Sequence, residues 1–196
     1  MFDWTSKEQL DKMRNWRKKS DGFLYKRDTM VRMMSKGKIL ELGCGEFPLF
    51  KDSVKVDISG VNGCIVANCN YPLPIKENFD TIIALELVSH LWDIDTFLKE
   101  CHRLLKPDGK MIISSPNVKY WRNRIWLLFG NDTYFRSIGY YYNCFSPESL
   151  EKTLGEHGFN LIEKIPLGKS KILDLCGDFL VICKLSTEPK IRGLWV

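Results

Sequence analysis

Gly43 and Gly45, in the run ILELGCGEFPLF at 39–50, allow a backbone turn to pass close to a bound ligand. Asp57, in VKVDI at 54–58, is separated from Gly45 by only eleven residues and closes the next apolar run. A carboxylate at that point is well set to accept hydrogen bonds from ribose hydroxyls. A glycine turn after one strand, with an acid at the end of the next, suits an adenosine-containing cofactor. Dinucleotide loops use a third glycine so that a helix N-terminus meets a pyrophosphate. Here Glu46, Phe47 and Pro48 follow Gly45, and Glu41 stands two residues before Gly43. Those acidic and bulky neighbours fit a cationic cofactor better than a pyrophosphate.

Such residues need a sheet to hold them. Apolar runs predict strands at 38–42, 54–58, 78–87, 110–116, 159–165 and 178–185, the third buried on both faces. Helical periodicity predicts helices over 6–19, 22–35, 93–105, 119–130 and 146–158, with Asp21 and Gly22 breaking the first from the second. In 22–35, Phe23, Leu24, Met30, Val31 and Met34 share one face, with the charges largely elsewhere. LKPDG at 105–109 ends the third helix. Ser146 is the N-cap of the last, its capping box to Ser149 or Glu148 imperfect, and Gly158 terminates it. Strands alternating with helices indicate an α/β domain with a mostly parallel sheet. The spacing is tight between the first strands. Eleven residues leave room for only a very short helix before Asp57, and 59–63 leave none. A parallel crossover takes about a dozen residues, so a strand at 64–67 is expected to be short, irregular or missing. One sheet face is then under-covered, and helix 22–35 has the apolar side to cover it.

The 196 residues suit one domain, and 44% hydrophobic with 27% charged residues is ordinary for a globular chain. No apolar run nears the roughly 18 residues of a membrane span, and MFDWTSKEQL lacks the apolar core of a signal peptide. A cytoplasmic protein is expected. Seven cysteines without a CxxC pair read as free thiols in a reducing compartment. Three histidines lack metal-ligand spacing, so no metal is expected. Residues 1–38 hold eleven Lys/Arg against five acids, within a net charge of +5. That arm is either a solvated helix face or a surface for an acidic partner, nucleic acid or an anionic membrane.

ELGCG (41–45), VDIS (56–59), YPLPIKENFDTIIALELVSHL (71–91), LKECHRLLKPDGKMIISSPN (98–117) and FSPESLEKTLGEHGF (145–159) occur in one order. Together, over about 38–185, they resemble the class I S-adenosylmethionine-dependent methyltransferases, of the small-molecule, type 11-like branch. The resemblance implies a doubly wound, mostly parallel Rossmann-like sheet, here with shortened helices after the first two strands. The chain is expected to divide into an N-terminal helical cap (1–36), a methyltransferase domain (37–185) with a substrate-side insertion (117–145), and a C-terminal tail (186–196). S-adenosyl-L-methionine is the implied cofactor. Gly43, Cys44 and Gly45 would wrap its methionine portion, and Glu41 would steady that loop and the amino-acid end. Asp57, with Ile58 beside it, would hold the ribose. Asn68 and Cys69 fall in the segment that reads the adenine. Leu85 would offer its backbone carbonyl to the ammonium, with Glu86 next to the site.

Methyl transfer from a sulfonium is an in-line displacement, so the protein mainly aligns the reactants and excludes water. His90 is the candidate general base, or a hydrogen-bonded histidine that shapes the site. His102 reads as structural, and His157 as a helix C-terminal residue. Arg122, Arg124 and Arg136 of the insertion could grip a carboxylate or phosphate. Tyr120, Trp121, Tyr140, Tyr141 and Tyr142 could line a sugar, aromatic or lipid pocket, or pack as the core of a lid. The expected acceptor is a small molecule, a glycan or a lipid-linked precursor. Two alternatives stay open. One is an RNA methyltransferase, from the basic arm with Trp4, Trp16 and Tyr25 interleaved. The other is a non-catalytic, methyltransferase-like regulatory or scaffold module, from the absent third glycine and the shortened helices.

Overall fold

The computed structural model describes residues 21–130, 141–168, 172–173 and 176–187. The predicted helix 6–19, Trp4, Trp16, Arg136, Tyr140 and residues 188–196 lie outside the described residues.

The described chain runs α1 (Asp21–Met34), β1 (Ile39–Leu42), β2 (Val54–Asp57), a 3-10 turn (Val61–Gly63), β3 (Ile65–Val66), β4 (Phe79–Leu85), a second 3-10 turn (Val88–His90), α2 (Ile94–Leu104), β5 (Leu105–Pro116), α3 (Trp121–Leu128), α4 (Pro147–Glu156), β6 (Phe159–Leu167) and β7 (Asp178–Leu185). One seven-stranded sheet has the order β3-β2-β1-β4-β5-β7-β6. Strands β1 to β5 pair in parallel, and β7 runs antiparallel to both β5 and β6. Strand order therefore reverses beside β1, where β1 lies between β2 and β4. Ligands of open α/β sheets bind at the carboxyl ends of the strands there.

Alternate residues of the central strands serve two cores, as a period of two requires. Ile82, Ala84, Met111, Ile113, Val181 and Cys183 face one core with Phe97, Leu98, Cys101 and Leu104 of α2 and Leu150 and Leu154 of α4. Ile83, Ile112, Leu180 and Ile182 face the other, with Leu49 and with Val31 of α1. Helix α1 thus covers the face that short crossovers leave open. Val31 is fully buried, which contributes roughly 1.5–3 kcal/mol relative to exposure.

The missing crossovers have physical consequences. No helix joins β1 to β2, and only a 3-10 turn precedes β3. Strand β3 has two residues, pairing Val56 with Ile65 and Asp57 with Val66. Several predicted bounds move. Strand β5 starts at Leu105 rather than 110, because Leu105 pairs with Phe79 before a register shift that accommodates KPDG. Strand β4 ends at Leu85, because Glu86 turns to φ 57°. Strand β6 continues to Leu167 despite Pro166, which a sheet edge tolerates because no partner there needs the missing N–H. The capping box of α4 is complete: Ser146 Oγ accepts from Ser149 N at 3.1 Å, and Ser149 Oγ accepts from Ser146 N at 2.8 Å. A second serine does there what the usual Glu or Gln does.

Candidate functional site

An open cleft lies over the carboxyl ends of β1 and β4, the place where open α/β sheets bind small molecules. Glu41, Gly43, Cys44, Gly45, Leu85 and Glu86 line it, together with Arg27 of α1. Six of the predicted cofactor residues are therefore brought to one cleft.

Gly43 and Gly45 hold φ of 66° and 54°, in the left-handed region that disfavours any side chain. A Cβ at Gly43 would lie 2.8 Å from Leu87 Cδ1, so the position admits no side chain without movement. Gly43 N donates to Val56 O at 2.8 Å, and Gly45 N donates to Asp57 Oδ2 at 2.8 Å. The loop is thus fastened to the end of β2. Asp57 Oδ1 accepts from Ser59 N at 2.8 Å and Ser59 Oγ at 2.5 Å. Oδ2 accepts from Gly45 N, and a carboxylate oxygen has a second lone-pair site for a hydroxyl.

Glu41 does something the sequence reading did not separate out. Its carboxylate is buried beneath the turn. Oε2 accepts from Leu49 N at 2.6 Å, and Oε1 accepts from Phe50 N at 2.9 Å and from Ser53 Oγ. One side chain therefore satisfies the backbone of a connection that has no helix of its own. Phe47 and Pro48 sit in that connection, where the cofactor loops of dinucleotide sites begin a helix.

Across the cleft, Glu86 is held in strained backbone geometry by Ser114. Glu86 N donates to Ser114 Oγ at 3.0 Å, while Ser114 Oγ donates to Glu86 Oε1 at 2.5 Å. Arg27 Nη1 stands 3.9 Å from Glu86 Oε1, and Arg27 Nε and Nη2 donate to Asp28 Oδ1 at 2.9 and 2.7 Å. Burial raises the Glu86 carboxyl above its ordinary range, against the pull of Arg27 and Ser114. Asp178, the first residue of β7, is raised well above its ordinary range by burial and by Glu86, again opposed by Arg27. Arg27, Ser114 and Asp178 were not read from the sequence. The signal for Arg27 was present: Leu24, Arg27, Asp28 and Val31 follow the i, i+3, i+4, i+7 pattern, and all four are buried.

The remaining predicted residues divide. Ile58 is exposed just beyond Asp57. Asn68 Oδ1 accepts from Asn70 N at 3.0 Å, so this side chain builds a turn. The Cys69 thiol is buried and pushed up to about 12, chiefly by that burial; it packs in the main core. His90 ends the second 3-10 turn, with its ring 5.1 Å from that of Tyr141. Tyr142 N and Asn143 N donate to Ser89 O at 2.8 and 3.2 Å, which docks the end of the insertion on that turn. Tyr142 meets Trp92 edge to face at 6.1 Å. Tyr120 caps α3, where Arg122 and Arg124 are exposed. His90, Tyr120, Arg122, Arg124, Tyr141 and Tyr142 do not line the cleft. His102 packs its ring against Phe159 at 5.8 Å, and His157, the C-cap of α4, has Nε2 2.9 Å from Asp95 Oδ1. Among the described residues, no group of three or more His, Cys, Asp or Glu side chains could hold a metal ion, and no helix is long and apolar enough to cross a membrane.

A family model described as a methyltransferase domain matches residues 16–164, and the chain belongs to that methyltransferase family. The ubiquinone biosynthesis O-methyltransferase of Bradyrhizobium diazoefficiens is 30% identical over 103 residues, which are 50% of this chain and 40% of that one. The mitochondrial enzyme of the same name from Bos taurus is 30% identical over 95 residues, 43% of this chain and 24% of that one. The chain thus spans less than half the length of these two relatives. An S-adenosylmethionine-dependent methyltransferase from Thermotoga maritima has a similar fold, with a TM-score of 0.70, 19% identity, and 90% and 96% of the two chains covered. One from Bacteroides fragilis, in complex with S-adenosyl-L-homocysteine, has a TM-score of 0.59 and 19% identity, with 81% and 76% covered.

Proposed function

We propose that the chain is an S-adenosyl-L-methionine-dependent methyltransferase acting on a small-molecule acceptor. The observation that carries this is the Gly43–Gly45 loop tied to Asp57 on one side of a cleft, with an Arg27–Glu86 pair on the other. When bound, S-adenosylmethionine supplies a methyl group on a sulfonium, which leaves by in-line displacement. Its adenosine and amino-acid ends differ in charge, and the two walls differ in the same sense. Asp57 Oδ2 accepts from a ribose hydroxyl. Arg27 donates to the carboxylate of the amino-acid end, while Glu86 and the Leu85 carbonyl accept from its ammonium. Glu41 keeps the glycine turn in shape from below. Asn68 and Cys69 bound the adenine side through their backbone.

His90 and Tyr141 lie outside that cleft and on this reading receive the acceptor beside it, His90 holding the acceptor's proton where one must leave. Tyr120, Arg122, Arg124 and Tyr142 receive the rest of the acceptor. Support comes from the docking of 142–143 on Ser89 and from the relatives, which are named ubiquinone biosynthesis O-methyltransferases. The free thiols support a reducing, cytoplasmic setting.

Calorimetric titration of S-adenosylhomocysteine into wild type and Asp57→Ala tests the reading. Micromolar binding, weakened at least about tenfold in the variant (about 1.4 kcal/mol), is expected, with circular dichroism confirming that the variant is folded. No binding at millimolar ligand would leave the fold without this activity.

A further inference from the structure

Cys44 and Cys64 are twenty residues apart in sequence, yet their sulfurs lie 3.1 Å apart. Cys44 is the middle residue of the glycine turn and lines the cleft. Cys64 caps the 3-10 turn that follows Asp57. Both are half-buried free thiols. Elsewhere, Cys69, Cys101, Cys176 and Cys183 are buried, and Cys144 is exposed.

We propose that Cys44 and Cys64 form an oxidation site whose disulfide closes the cofactor cleft; the effect on the cofactor rests on the function proposed above. The oxidant is a peroxide. One thiol gives a sulfenic acid and one water, and the second thiol then attacks that sulfur and releases a second water. Two thiols and one hydrogen peroxide thus yield one disulfide and two waters. The sulfurs approach by about 1 Å to reach the 2.03–2.05 Å of a bond. That motion falls on a turn with little freedom. Gly43 is pinned to Val56 O and packed on Leu87, and Gly45 is pinned to Asp57. Pulling Cys44 toward the 61–64 turn draws the glycine loop across the adenosine side of the cleft and turns the Gly45 N–H away from Asp57. The reduced pair leaves the loop open. Burial, Cys64, Asp57 and Glu41 all keep the Cys44 thiol protonated, so closure requires sustained peroxide rather than a trace.

The test uses the full chain as wild type and as Cys64→Ser. Each is treated with hydrogen peroxide, alkylated, digested without reductant and mapped by mass spectrometry. S-adenosylhomocysteine affinity is measured before and after treatment, and again after dithiothreitol. The expected result is a linked peptide carrying Cys44 and Cys64, at least a tenfold loss of affinity, and recovery on reduction. Reduced Cys64→Ser binds like wild type and keeps its affinity through peroxide. A map in which Cys44 remains alkylated, or pairs with another cysteine, overturns the site. A Cys44–Cys64 link with unchanged affinity overturns the closure. Reduced wild type that binds no S-adenosylhomocysteine sinks the cofactor reading and the closure with it, while the map alone still decides whether the bond forms.

Discussion

Glu41→Gln changes one buried carboxylate into an amide of the same size, and its cost follows from the donors it faces. Leu49 N points at Oε2 from 2.6 Å, and Phe50 N and Ser53 Oγ point at Oε1. An amide offers one oxygen. Whichever way it is turned, its NH2 group confronts a backbone N–H, which is left without an acceptor. An orphaned buried donor costs about 1–3 kcal/mol, and the surviving bonds fall from charged to neutral strength, about 1 kcal/mol less each. The sum is about 3 kcal/mol, a large share of the roughly 5–15 kcal/mol that holds a domain together. At this chain length it lowers the melting temperature by about 6–12 °C. Urea unfolding should show a lower midpoint with unchanged slope. Ser53→Ala removes one hydroxyl donor and should cost about 1 kcal/mol. The double variant should then cost less than the two separately, because both act on one contact. A loss under about 1 kcal/mol in Glu41→Gln, with weakened S-adenosylhomocysteine binding, would refute the reasoning. Glu41 would then serve the ligand and not the connection.

Gly43→Ala should destabilise the fold by about 1–3 kcal/mol, because alanine must hold φ near 66° with its Cβ 2.8 Å from Leu87 Cδ1; calorimetric melting that matches wild type would count against a rigid turn. Asp178 has a folded pKa raised above the ordinary 3.8, so the native state holds a proton that the unfolded chain has released. Stability from this group therefore falls as pH rises above the unfolded value. Asp178→Asn removes that slope, so its urea midpoint relative to wild type should climb as pH rises above the unfolded value; a constant difference would remove Asp178 from the buried acid cluster. Ser89 Oγ is buried without a partner among the described residues. Ser89→Ala should therefore leave stability unchanged or raise it by up to about 1–3 kcal/mol, and a clear loss in denaturant midpoint would show that the hydroxyl is engaged.

The sheet was legible because its strands are short apolar runs at spacings only a parallel arrangement with covered faces can use. The abbreviated β3 was legible for a negative reason: too few residues lay between Asp57 and Ile65 for a helical crossover. Tertiary pairing then overrode local signals at the ends. KPDG reads as a helix stop, but Leu105 pairs with Phe79 and draws the segment into β5. Glu86 reads as the continuation of a strand, but Ser114 bonds both its N–H and its carboxylate and bends it out of line. Neither partner is near in sequence, so no local pattern announces it. The loop glycines and Asp57 were legible because few chemistries need an unencumbered turn beside an acid.

Arg27 is the instructive omission. Charges on α1 were assigned to the outer face, yet Arg27 and Asp28 interrupt the apolar stripe between Leu24 and Val31. A guanidinium on a buried stripe is expensive unless partners surround it. Asp28, Glu86 and the nearby Asp178 supply them, and each lies at or beside the cleft. A hydrophobic residue at 27 would have made a better cap for the sheet. Three acids gathered around one arginine leave two carboxyls shifted upward, which stability alone does not require. The cluster is better understood as a preset charge arrangement for a zwitterionic end of a ligand. On that argument, Arg27→Met leaves Asp28, Glu86 and Asp178 without their cation and should cost about 3–5 kcal/mol, and in the chain that stays folded it should weaken S-adenosylhomocysteine by tenfold or more. Unchanged affinity with that loss of stability would make the cluster part of the scaffold.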